Sequence, residues 1–128
     1  MKQEAKMKNL WKETICDLAE NGKTWDDVIG VCCGDFRITK AQFEKLANRE
    51  YENGYGSAEV AQDLMIVGTD FWLERHEYDG SEWWEYKQMP NIEKKPLVSV
   101  DRLISDYGHY CTNTLKSLNE DKVEVDDE

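Results

Sequence analysis

Apolar residues recur at helical spacing in three stretches of this 128-residue chain and alternate with polar ones in the strands between. Met7, Leu10, Trp11, Ile15 and Leu18 share one side of a helix over residues 3–20, which Asn21 and Gly22 end. Residues 25–33 read as a short helix begun at Thr24 or as a strand; the β-branched run Val28–Cys32 favours the strand, turned back at Gly34-Asp35 into Phe36-Arg37-Ile38. Thr39 and Gln42 then form a capping box, with Ile38 and Phe43 in the staple positions, so a helix over residues 40–52 follows. Phe43, Leu46, Ala47 and Tyr51 line its buried side. Asn53, Gly54 and Gly56 release the chain into a loop, Ser57 caps one more turn through Val60, and residues 64–67 read as a strand.

Residues 71–89 form the most distinctive pattern, an aromatic hairpin carrying three of the five tryptophans. A two-residue Asp79-Gly80 turn sets Glu77 opposite Glu82 and Glu74 opposite Glu85, and like charges so placed cost several tenths of a kcal/mol, roughly, per pair. A four-residue loop over 79–82 pairs Tyr78 with Trp83, His76 with Glu85, Glu74 with Lys87 and Arg75 with Tyr86, all attractive. The charge pattern therefore predicts the second register. One face then carries Phe71, Leu73, Trp84 and Tyr86 and suits a core. The other carries Trp72, Glu74, His76, Tyr78, Trp83, Glu85 and Lys87.

Beyond a connector over residues 90–96, Ser99 caps a helical stripe of Val100, Leu103, Ile104, Tyr107, Cys111, Leu115 and Leu118. Residues 119–128 lack a core pattern and read as a disordered acidic tail. The expected fold is α+β: one domain over residues 1–118, with a mostly antiparallel sheet of hairpins packed by two or three helices.

Charge changes the picture more than composition does. The net charge is −11, and residues 50–93 hold eleven carboxylates against only Arg75 and Lys87. Such a surface repels nucleic acid and attracts a basic protein groove, although solubility is the ordinary role of acidity. No apolar run nears the roughly 20 residues that span a bilayer. Four cysteines without an apolar signal segment fit a reducing, cytoplasmic setting.

Complete catalytic signatures are missing from the pattern. Cys16, Cys32, Cys33, Cys111, His76 and His109 include no Cys-x-x-Cys, so the cysteines read as buried small hydrophobes, with no metal or cofactor expected. Asp26, Asp27 and Asp35 beside Cys32 and Cys33 disfavour a thiolate. Residues 51–56 are glycine-rich but lack a phosphate loop's lysine. Base stacking on the tryptophans would need basic surroundings, and glutamates stand there instead. The candidate partner-binding residues are Trp72, Glu74, His76, Glu77, Tyr78, Asp79, Glu82, Trp83 and Glu85.

Tyr78-Asp79-Gly80-Ser81-Glu82-Trp83-Trp84, with Trp25-Asp26-Asp27-Val28-Ile29 and Asn53-Gly54-Tyr55-Gly56, resembles short uncharacterised proteins of Firmicutes phages and prophages, over residues 24–88. The resemblance implies a small accessory protein of a mobile element, of the class that includes anti-CRISPR inhibitors of host defence. The leading expectation is a non-enzymatic protein that binds a basic host protein. Its rivals are a small-ligand binder or hydrolase using Trp72, His76, Trp83 and Glu85, and a structural homo-oligomer.

Overall fold

A five-stranded antiparallel sheet with two helices on one face organises the first of two compact units, Met1–Met89 and Pro90–Glu128. The computed structural model describes residues 6–54, 56–105 and 114–120. In chain order the first unit holds β1 (Lys6–Asn9), α1 (Leu10–Glu20), β2 (Val28–Cys32), β3 (Arg37–Ile38), α2 (Lys40–Ala47), β4 (Glu50–Asn53), β5 (Met65–Gly68), β6 (Phe71–Tyr78) and β7 (Ser81–Gln88). The sheet order is β3-β2-β5-β6-β7, and β1 and β4 form a separate antiparallel ribbon. The fold is α+β, as the hydrophobic pattern predicts.

Alternation builds the core. Ile66 on β5, Phe71 and Leu73 on β6 and Trp84 on β7 are buried with Val28 and Val31 of β2, and a bulge between Val28 and Gly30 puts both valines in that core. Leu18 of α1 and Phe43 and Ala47 of α2 close it. Each large side chain buried this way contributes about 1.5–3 kcal/mol. Trp25 stacks on Phe43 with ring centroids 5.6 Å apart, and the Lys40 ammonium lies over Trp25 while donating to the carbonyls of Trp25 and Val28. Gly68 has no side chain for a reason: a Cβ there would overlap the Phe71 ring.

Both helices are shorter than the apolar stripes predict. Asn9 takes an extended backbone and its side chain accepts from Lys12 N, so α1 begins at Leu10 and residues 6–9 pair instead with β4. The side chain of Thr39 accepts from Gln42 N and starts α2 as expected, but the helix stops at Ala47. Tyr51 is buried from β4, and Leu46 is left 61% exposed. Ser57 starts no helical turn, because the N–H groups of Glu59 and Val60 bind the Glu82 carboxylate.

The hairpin takes the register that charge alone disfavours. Asp79 and Gly80 adopt positive φ of 53° and 86° and form a two-residue turn, with Tyr78 opposite Ser81, His76 opposite Trp83, Glu77 opposite Glu82 and Glu74 opposite Glu85. Hydrogen-bond donors beside each carboxylate offset the like-charge repulsion. The two registers differ by two residues across the turn, so Phe71, Leu73, Trp84 and Tyr86 keep the core face and Trp72, Glu74, His76, Trp83, Glu85 and Lys87 the other.

In the second unit a 3-10 turn at Ile92–Lys94 follows Pro90, and a short helix α3 (Leu115–Leu118) is capped by Thr114 and Ser117. Residues 99–105 are not helical, contrary to the stripe, and Leu103 and Ile104 bury little. Asn119, assigned to the tail from sequence, is buried and hydrogen-bonds the N–H groups of Asp101 and Arg102 and the carbonyls of Arg102 and Leu115. Residues 106–113, with Tyr107, His109 and Cys111, and 121–128 lie outside the described residues.

Candidate functional site

Strand alternation brings Trp72, Glu74, His76 and Trp83, Glu85, Lys87 onto the hairpin face opposite the core. The Trp72 indole N–H donates to Glu74 Oε1 at 2.7 Å, and His76 Nε2 lies 2.7 Å from Glu74 Oε2. Trp83 Nε1 donates to Glu85 Oε2 at 3.2 Å, while Lys87 Nζ and His76 Nε2 stand 3.6 and 3.9 Å from Glu85 Oε1. The His76 ring stacks on Trp83. Hydrogen bonds from Trp72 and His76 hold the Glu74 carboxyl below the usual range, and the Trp83 indole does the same for Glu85. Two carboxylates are thus oriented side by side between indole rings on an open surface. Such an array can receive guanidinium or ammonium groups and stack against them. Among the described residues the hydrogen-bond and ion-pair partners of His76 are carboxylates, with no hydroxyl or thiol bonded to it.

Of the expected binding residues, Trp72, Glu74, His76, Trp83 and Glu85 come together. Tyr78 is 76% exposed at the end of the same face, and Asp79 is exposed in the turn. Glu77 is exposed on the other face, where its carboxylate accepts from Gly80 N. Glu82 corrects the expectation: it is 1% exposed and belongs to the interior. Lys87 joins the array through Glu85.

The interior placement of Glu82 exposes a network that sequence reasoning missed. Arg75 Nη2 donates to Glu82 Oε1 at 2.8 Å and to the Tyr51 hydroxyl at 3.2 Å, and Nη1 reaches Glu13 at 3.3 Å. Tyr51 donates to Glu13 at 2.6 Å. The guanidinium lies 4.8 Å from the Trp84 ring centroid, and the Trp84 indole donates to Thr14. Burial, then the bond to Glu13, pushes the Tyr51 hydroxyl far above its ordinary range. Burial works against the Arg75 charge, but hydrogen bonds to Glu82 and Tyr51 hold it in place. The signal was parity: Arg75 shares its face with Phe71 and Leu73, and Glu82 shares its face with Trp84.

Beside this network runs a groove of about 590 Å³ between α1 and β7, lined by Lys8, Lys12, Glu13, Asp17, Glu20 and the two tryptophans Trp83 and Trp84. Burial, with Glu13 and Glu20 nearby, pushes the Asp17 carboxyl up to about 6. The exposed thiol of Cys16 also borders the groove, and Cys32 and Cys33 are only half-buried, so these thiols are not the core hydrophobes expected. Among the described residues the three cysteines are free, and no three His, Cys, Asp or Glu side chains cluster as metal ligands. No helix among the described residues is long and apolar enough to cross a membrane. Comparison with protein-family models, curated proteins and solved structures gave no match.

Proposed function

We propose that this protein is a non-enzymatic binding module whose outer hairpin face engages a basic surface of a partner protein. One observation carries the reading: Glu74 and Glu85 are fixed by indole N–H groups, which lowers the ordering cost of pairing them with arginine or lysine. The flanking rings of Trp72 and Trp83 offer surfaces on which a guanidinium stacks. Excess negative charge adds long-range attraction and selects against nucleic acid as a direct ligand. The resemblance to phage proteins makes the basic nucleic-acid groove of a bacterial defence effector the natural partner, as for an anti-CRISPR inhibitor acting in the host cytoplasm. The open face around His76 favours binding over hydrolysis.

Immobilised wild type and Glu74→Lys/Glu85→Lys, compared at low and high salt in a Firmicutes lysate, test the reading. A basic protein retained only by wild type, and released as salt rises, is expected. Equal retention by a correctly folded double variant would overturn it.

A further inference from the structure

We propose that the outer edge of β7 and the groove beside α1 together receive an extended basic segment of the partner, which adds to the sheet as a sixth strand. The inference deepens the function given above and rests on its basic partner.

The main-chain geometry comes first. The Asn53 amide donates to Glu82 O and accepts from Glu82 N, at 2.8 and 2.9 Å, so the backbone of Glu82 faces away from β6. In an antiparallel pair outward-facing residues recur every second position, which turns Trp84, Tyr86 and Gln88 outward as well. β7 is, among the described residues, the last strand of the sheet. Among the described residues, no hydrogen bond pairs the main-chain groups of these three. A row of three N–H and three C=O groups is a template for another strand. Asn53 closes one end of the row, and at the other Met89 N donates back to Asp70 O.

Charge complementarity selects the occupant. Glu13, Asp17 and Glu20 are spaced four and three apart on α1 and line the groove, which meets this edge at Trp83 and Trp84. Alternate side chains of an added strand would point toward these carboxylates, and the intervening ones would lie beside Trp83 and Glu85. Lys8 and Lys12 border the same groove, so the segment's cations concentrate toward Asp17 and Glu20. Burial raises the Asp17 pKa most, Glu13 and Glu20 add to it, and Lys8 and Arg75 lower it, so at acid pH an arriving cation would have to ionise this carboxyl. A second copy of the chain fits poorly. Two β7 strands paired about a two-fold axis would put both α1 helices on one side of the seam, with carboxylate row facing carboxylate row.

An N-acetylated, amidated octapeptide of alternating lysine and threonine is the probe, with two isomers N-methylated on the four lysines or on the four threonines. A sixth strand uses every second N–H, so one isomer should lose binding at least about tenfold while the other keeps it. The amide resonances of Trp84, Tyr86 and Gln88 should shift. Because Asp17 must lose its proton, binding at pH 5 should be about tenfold weaker than at pH 7.5, and Asp17→Asn should remove that dependence. Equal binding by both isomers would overturn strand addition. If that binding also disappeared in Glu74→Lys/Glu85→Lys, the outer-face function would stand and only the edge would fall. Shifts of the β7 amides with protein concentration alone would assign the edge to a second copy and overturn the proposal.

Discussion

Arg75 balances two buried carboxylates, so its removal does more than delete a contact. Arg75→Ala leaves Glu13 and Glu82 buried without their cation, and we expect a loss of about 3–5 kcal/mol in chemical denaturation. Arg75→Lys should recover only part of this, since one ammonium cannot span Glu13, Glu82 and Tyr51 together. Asp17 acts in the opposite direction. Its folded pKa of about 6 exceeds its ordinary value of 3.8, so the folded state binds the extra proton between those limits. Stability therefore falls as pH rises from about 4 to 6. Asp17→Asn should stabilise at pH 7 by about 1 kcal/mol, allowing for solvent screening, and change little at pH 4. Paired urea melts at the two pH values check this.

At the scale of elements, the hairpin depends on a side chain borrowed from another strand. Asn53→Asp keeps the acceptor for Glu82 N but sets a carboxylate against Glu82 O, and should cost about 1–3 kcal/mol in thermal unfolding. Asn53 read only as a helix stop, because its partner lies 29 residues away. Where local rules govern, the sequence was legible: the Thr39 cap, the β2–β3 hairpin and the two faces of β6 and β7 all stand. The hairpin register was not. A cross-strand repulsion of a few tenths of a kcal/mol, roughly, yields to a favoured Asp-Gly turn and to the donors around each glutamate. The outer-face array was legible from parity alone. Glu82 was not, because a glutamate defaults to the surface unless its arginine partner is also recognised as buried. Pairing between β1 and β4 likewise shortened both helices, and it joins segments more than 40 residues apart, roughly, that no local pattern connects.

For the molecule as a whole, the nine core residues among the described ones and all five tryptophans lie within the first unit. A fragment of residues 1–89 should therefore unfold cooperatively and keep the near-ultraviolet dichroism of its tryptophans. A sloping, non-cooperative melt would show that its core needs the remaining residues. The buried polar network bears on time as well as stability. It links Thr14 to Trp84 across 70 residues, Glu13 to Arg75 across 62 and Glu13 to Tyr51 across 38. Loops that long close only after local hairpins and helices exist, so these bonds form on the native side of the folding barrier. Replacing Arg75 should then hasten unfolding in stopped-flow measurements and leave the refolding rate nearly unchanged, making the network a brake on escape from the native state.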